Sequence, residues 1–393
     1  MASSVGVYVH IPFCTRICPY CDFAVEAAGD LGGWQAREDA YVKGLLDELA
    51  LRQPRFAGRT LASLYFGGGT PSLFRPESLA RIRQAVEAAF PPAAEPPEIT
   101  LEVNPSSVER ERLPAFRSEA GVNRLSMGVQ SFDDSLLKAL GRGHGAEACR
   151  LTLEAARRAG FANLSLDLMF AALHQTAAGL EADLAETLAA EPEHVSCYEL
   201  VYEPGTPFGR AAAEGRLAPY SEEGSADMVE HIEDRLGAAG YARYELTNYA
   251  RPGYEAVHNR RYWQRRPVLG LGAGAHSTDP AGPGRPYGAR HANPRVRGAW
   301  HEAVATGRLP MGEEEVLGRT DAMAEACFLG LRCAEGLDGA AFEAEFGTSP
   351  RAQFAEAIAR FLDEGLLEVR GEHSLGLTRR GRMLADTVCA EFV

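Results

Sequence analysis

The chain has 393 residues, 46% hydrophobic and 24% charged, an ordinary globular composition with length enough for one large domain and a small one. Its 54 acidic and 40 basic residues leave a net charge of -14, which argues against chain-wide attraction to nucleic acid or to an anionic membrane surface. The opening MASSVGVYVH carries no signal-peptide pattern, and no apolar run reaches the ~18 residues of a membrane span, so a cytoplasmic protein is expected.

Residues 6–12 read as a first strand, followed at once by the run HIPFCTRICPYCDF, which holds Cys14, Cys18 and Cys21. The apolar spacing of 37–51 predicts a helix. A strand at 61–66 leads into the glycine-rich turn Gly67-Gly68-Gly69-Thr70-Pro71, then a helix at 76–90 and a proline-rich connection at 91–97. Further strands are expected at 98–103, 124–129, 164–169 and 194–200, with helices after each. Repeated strand–helix units predict an α/β fold with a parallel sheet and right-handed crossovers. Six such units make a barrel or an incomplete one, and motifs at the strand carboxyl ends then converge on one mouth.

After about residue 280 the texture changes. The segment 279–288, rich in Gly and Pro, reads as a loop or linker, and helical patterns dominate from residue 300. A helix at 351–364, the hairpin LLEVRGEHSLGLT and a last helix from residue 379 follow the order of a winged helix. Acidic neighbours offset Arg370, Arg379, Arg380 and Arg382, which favours a packing or partner-docking module over a DNA reader. The expected division is a core domain at 1–280 and a smaller domain at 281–393.

The eight cysteines are unevenly placed: three stand in one loop, and Cys149, Cys197, Cys327, Cys333 and Cys389 are scattered through apolar stretches. That distribution fits a reducing compartment better than a disulfide framework. A structural zinc site generally takes two separated ligand pairs, and no second CxxC pair exists. A 4Fe–4S cluster usually takes four thiolates, so three leave one iron open to a small molecule.

The loop CxxxCxxC, with Tyr20 before its last cysteine, resembles that of the radical S-adenosylmethionine (SAM) superfamily. The resemblance implies a 4Fe–4S cluster on Cys14, Cys18 and Cys21, with the amino and carboxylate groups of SAM on the fourth iron. It also implies a partial (β/α)6 barrel. The turn containing Gly68, Gly69 and Thr70 is similar to the superfamily's GGGTP motif, which contacts the SAM amino group. Glu102 in LEVNP, Gln130 in MGVQSF, Arg142 in LGRGH and Asp167 in LSLDLMF each read alone as a cap or surface residue. As a set they match SAM-binding positions of one branch, as do Tyr8 and Tyr20.

YVHIPFC, YFGGGTPSL, GVNRLSMGVQSF, YEPGTPF and HNRRYW all resemble the oxygen-independent coproporphyrinogen III oxidase-like branch, over almost the whole chain. Its oxidases carry a fourth cysteine two residues after the third, where this chain has Phe23, and a longer N-terminal extension. Both departures turn the resemblance toward the branch's haem chaperones, with decarboxylation of coproporphyrinogen as the alternative. The chaperone reading implies haem as ligand, an unknown haem-acceptor protein, and an electron donor such as a flavodoxin or ferredoxin. His258, in HNRRYW, is the candidate axial ligand, with Arg260 or Arg261 for the propionates; a hydrogen-bonded core histidine is the competing reading. His10 and His276 also fit family positions and read equally as structural. One departure stands out: where the family commonly has GLPGQ after Asp167, this chain has Ala171-Ala172-Leu173-His174-Gln175.

Overall fold

In a computed structural model, which describes residues 4–29, 33–371 and 373–393, the chain forms one large sheet clothed by helices. The first half runs β1 (Ser4–Ile11), β2 (Phe13–Cys14), β3 (Glu26–Ala27), α1 (Trp34–Arg52), β4 (Thr60–Gly68), α2 (Pro76–Ala89), β5 (Glu98–Val103), α3 (Ser107–Ser118), β6 (Arg124–Gln130), α4 (Asp134–Ala139), α5 (Ala146–Arg158), β7 (Leu164–Phe170), α6 (Ala177–Ala189) and β8 (His194–Glu199). Next come α7 (Pro207–Ala213), α8 (Glu222–Ala238), β9 (Ala242–Arg243), β10 (Asn248–Ala250), α9 (Val257–Trp263), β11 (Val268–Leu271), β12 (His276–Asp279), β13 (Ala289–Ala292), α10 (Arg297–Ala305) and β14 (Glu313–Val316). The chain ends with α11 (Arg319–Gly330), α12 (Gly339–Phe346), α13 (Pro350–Gln353), α14 (Ala355–Asp363), β15 (Leu367–Arg370), β16 (Ser374–Leu377), α15 (Arg379–Met383) and α16 (Ala385–Ala390).

The twelve strands of the main sheet stand in the order β14-β13-β12-β11-β1-β4-β5-β6-β7-β8-β10-β9. The run from β1 to β8 is parallel, six strands joined by helices, and β8 does not pair back onto β1. This is the partial (β/α)6 barrel that the motifs imply.

Strands β6 and β7 show the alternation. Leu125, Met127 and Val129 of β6, and Leu164, Leu166 and Leu168 of β7, join the main hydrophobic core under the helices. Between them stand Arg124, Ser126 and Gln130, and Ser165 and Asp167, on the opposite face. A barrel whose inner face is polar holds space and not only packing, so the alternation itself creates the cavity described below.

The sheet does not stop at residue 280. The segment between β12 and β13 is a loop as expected, but β12, β13 and β14 continue the sheet in antiparallel pairing as far as Val316. A second core then begins at Leu317 and draws on residues through Phe392. The expected helix–hairpin–helix order appears there as α13 and α14, the β15–β16 hairpin, and α15 and α16; its tip residue 372 lies outside the described residues. The helix expected at 351–364 breaks at Phe354.

Candidate cofactor site at the strand ends

The cysteine loop is fixed at both ends. Phe13–Cys14 pairs with Glu26–Ala27, and His10 braces the loop by setting Nε2 2.9 Å from the Ala24 carbonyl. Cys14 is buried, while Cys18 and Cys21 are half-buried; all three border one cavity of about 590 Å³ at the carboxyl ends of the parallel strands. Among the described residues, no three His, Cys, Asp or Glu side chains converge as for a single metal ion.

The turn after β4 seats against this loop. Gly69 N donates to Ile11 O at 2.9 Å and Thr70 N to Phe13 O at 2.8 Å. A Cβ on Gly69 would stand 2.8 Å from the Phe13 carbonyl oxygen and 2.9 Å from Cys14 Sγ, so only glycine permits this approach. Gly68 adopts φ +113°, and its amide donates to Glu102 Oε2 at 3.0 Å. Tyr65 OH donates to the other oxygen of Glu102 at 2.9 Å.

Arg142 ties two parts of the rim together. Its Nη1 lies 3.5 Å from Cys18 Sγ, and its Nη2 donates to Asn104 Oδ1 at 2.5 Å and Gly128 O at 2.8 Å. Asn104 in turn donates to Thr70 Oγ1 at 3.1 Å, and Thr70 reaches Cys14 Sγ at 3.7 Å. A polar chain thus runs from one thiol to another. Asn104 is a site residue that the sequence reading missed, although it sits two places after Glu102 in LEVNP.

Deeper in the cavity, Asp167 accepts from Ser126 Oγ at 3.2 Å, and Tyr198 OH donates to Gln130 Oε1 at 3.2 Å. Burial pushes Glu102 up to about 7 and Asp167 up to about 6 from ordinary values of 4.5 and 3.8. Arg124 lies at the floor, almost wholly buried, with Nε unpartnered and its nearest carboxylate, Glu98, at 3.9 Å. Gln130 holds φ +71°, an uncommon conformation for a non-glycine residue at a strand end.

Of the residues singled out from sequence, Tyr20, Gly68, Gly69, Thr70, Glu102, Gln130, Arg142 and Asp167 border this cavity with the three cysteines. Tyr8 stands just behind: its hydroxyl contacts His10 Nδ1 at 3.1 Å, and its ring packs on Tyr65. His258 stands one layer behind the cavity wall, its ring 5.2 Å from that of Tyr65 between centroids, while the next residue, Asn259, borders the cavity. The histidine is buried on α9, where Nδ1 meets Ser63 Oγ at 2.9 Å and Nε2 meets Tyr262 OH at 3.3 Å. Burial lowers it to about 3, so the imidazole is neutral, and both nitrogens are engaged. The guanidinium of Arg261 donates to the carbonyls of Ser4 and Pro267. Arg260 faces outward and pairs with Glu335 at 2.9 Å. His276 is exposed.

The turn after β7 forms without the family's glycines. Ala171 and Leu173 themselves adopt φ +51° and +45°. Gln175 spans the turn, donating to Met169 O at 3.3 Å and accepting from Ala172 N at 3.4 Å. Strain of roughly 1–2 kcal/mol per such residue is held there by buried hydrogen bonds.

The donor set fits the implied cofactors: three thiols with a glycine cradle against one of them, and two half-buried, desolvated carboxylates on the cavity wall suited to a ligand carrying ammonium and sulfonium charge. A parallel partial barrel with this site at its strand ends defines a radical SAM protein. The pattern of the Radical SAM superfamily matches residues 8–186, and that of the HemN C-terminal domain matches residues 317–384. The solved structure of coproporphyrinogen III oxidase (HemN) from Escherichia coli, a radical SAM enzyme, superposes with a TM-score of 0.83 at 26% identity, covering 99% of this chain and 90% of that one. The heme chaperone HemW of Bacillus subtilis is 33% identical over 389 residues, 99% of both chains. That of Synechocystis sp. is 36% identical over 374 residues, 93% of this chain and 87% of its own. The chain belongs to the HemW family of heme chaperones. Among its described residues, no helix is long and apolar enough to cross a membrane.

Proposed function

We propose that this protein binds haem and passes it to an acceptor protein, with a SAM-ligated 4Fe–4S cluster in the strand-end cavity. The observation that carries the reading is full-length similarity to heme chaperones, joined to Phe23 where the oxidases have a fourth cysteine. Phe23 is 67% exposed at the mouth of the cavity, near the exposed Val201 and Ile17, an apolar rim suited to a flat porphyrin.

In this reading Cys14, Cys18 and Cys21 hold three irons, and Gly68, Gly69 and Thr70 offer backbone to the SAM ammonium. Glu102, Gln130, Arg142 and Asp167 orient the rest of SAM, with Tyr8 and Tyr20 packing around it. When bound, cluster and SAM supply one-electron chemistry at the sulfonium; the chain's own groups place it, exclude water and balance its charge. His258 is the proposed axial haem ligand, which requires Nε2 to leave Tyr262 and α9 to open. The lone pair is ready, because burial keeps the ring neutral. We place the protein in the cytoplasm, with a flavodoxin or ferredoxin as electron donor.

Anaerobic reconstitution followed by haem titration tests the proposal: a shifted Soret band is expected, and its absence overturns the chaperone reading. The likeness to the HemN structure favours a second reading, coproporphyrinogen decarboxylation. Formation of protoporphyrinogen with SAM consumption in the same anaerobic sample would establish it instead.

A further inference from the structure

A second cavity, of about 190 Å³, lies far along the chain from the cysteine loop, where the C-terminal unit docks on the edge of the main sheet. The seam is made by backbone pairing of Glu245 with Cys333 and by a hydrogen bond from Ala334 N to Tyr244 O at 2.9 Å. It is also made by α15 against α8, through Arg379–Asp234 at 3.0 Å and Arg382–Glu233 at 2.7 Å. Four arginines border the cavity, Arg243 from β9 and Arg332, Arg370 and Arg382 from the C-terminal unit, against one carboxylate, Glu233.

The donors are not used up. Arg370 is committed to the Ala334 and Leu377 carbonyls and to Glu368. Arg332 spends one nitrogen on the outward Asp386 and leaves Nε buried without a partner. Arg382 spends one on Glu233 and likewise leaves Nε buried and unpaired. Arg243 has no hydrogen bond or ion pair among the described residues, while burial and the charge of Arg382 both weaken its hold on its proton. Like charges gathered in a desolvated space, with donors unmet, are costly unless an anion joins them. Guanidinium forks match the oxygens of a phosphate group in geometry and charge.

We propose that Arg243, Arg332 and Arg382 form a binding site for a phosphate group, either free inorganic phosphate or the phosphoryl end of a phosphomonoester. The site spans the seam, so its occupant fastens the C-terminal unit to the core. This stands independently of the haem reading.

The full-length protein, titrated calorimetrically with inorganic phosphate and with glycerol 3-phosphate at constant ionic strength, tests it. Saturable binding is expected, with a rise in melting temperature. Arg243→Gln breaks no observed contact, so it should fold normally and weaken binding by roughly tenfold or more, the scale of one lost charge-assisted contact. Arg158→Gln, at an exposed arginine on α5 away from the seam, should leave affinity unchanged. Tighter binding of glycerol 3-phosphate than of phosphate identifies an esterified ligand; equal affinity identifies the free ion. Absence of saturable heat with either probe up to ~20 mM, where any useful site would be occupied, overturns the proposal. Equal affinity of Arg243→Gln and wild type does so too.

Discussion

His258 and Tyr262 lie one helical turn apart on α9, and their contact at 3.3 Å occupies the only imidazole nitrogen not already facing Ser63. The amino end of the same helix is held by Glu98, whose carboxylate accepts from the amides of Val257 and His258 at 3.1 and 3.0 Å. Ligation of haem by His258 must therefore break the Tyr262 contact first. Tyr262→Phe removes that competitor, and haem affinity should rise about two- to tenfold, the equivalent of one net hydrogen bond of ~0.5–1.5 kcal/mol. His258→Ala should abolish the histidine-ligated Soret band. Spectra unchanged in both variants would assign the axial ligand elsewhere.

Gly69 is where the glycine turn and the cysteine loop touch most closely. A methyl group there meets backbone on one side and the Cys14 sulfur on the other, and neither is the free end of a flexible chain. Gly69→Ala should cut the iron bound after reconstitution to well under half of the wild-type amount. Gly237→Ala on α8, where nothing lies within 4 Å of the new methyl, should bind iron as wild type does. Iron and sulfide analysis, with the visible spectrum of the cluster, distinguishes them.

The carboxylates of Glu102 and Asp167 give the site a pH signature. An unfolded chain loses these protons near 4.5 and 3.8, whereas the folded protein keeps them to about 7 and about 6. Between those values the folded state binds more protons, so without SAM its stability should fall as pH rises from about 4 to 7. Glu102 contributes on the order of 3 kcal/mol to that fall, and Glu102→Gln should flatten the slope of melting temperature against pH. A ligand bearing ammonium and sulfonium charge reverses the preference and should expel protons on binding. Calorimetry of SAM binding at pH 6 in buffers of different ionisation enthalpy should show that release; identical heats in all buffers would refute it.

Much of this was legible in the sequence because strand period and motif position coincide. Leu125, Met127 and Val129 alternate with Ser126, Gly128 and Gln130, so the pattern that announces a strand also assigns its cavity face. Glu102 and Gln130 at the carboxyl ends of their strands, and Asp167 midway along β7, then share one cavity by topology. Late strands were not legible: β12 and β13 have four residues each, and the acidic edge strand β14, EEEV, lacks any apolar period. The change of texture near residue 280 does not mark the end of the sheet, which continues through β13 and β14. The HNRRYW motif names His258 but not its seat, which the fold supplies: behind Tyr65 and against Ser63 on the cavity side of β4, with both ring nitrogens engaged. The turn at Ala171 and Leu173 shows the converse: the backbone kept positive φ at positions without glycine, because Gln175 and the surrounding packing enforce it.

Arg142 separates charge from shape at the rim. Its fork reaches Cys18 Sγ, Asn104 Oδ1 and Gly128 O together, and Asn104 passes the constraint on to Thr70 beside Cys14. A lysine keeps the charge but offers a single nitrogen, which cannot span a thiol, an amide and a backbone carbonyl at once. Arg142→Lys should therefore retain the cluster, with iron content near wild type, yet bind SAM roughly ten- to a hundredfold more weakly, as expected when one side of a charge-assisted network is lost. If charge alone sufficed, the lysine variant would bind SAM like wild type and only Arg142→Ala would fail. Equilibrium binding of SAM to the reduced and oxidised cluster forms, measured for wild type and both variants, decides between these outcomes. If Cys18 holds an iron as proposed, the 3.5 Å from Arg142 Nη1 to its sulfur leads us to expect the cluster's electron paramagnetic resonance signal to shift in both variants, because a cation beside a ligand sulfur tunes its electronics.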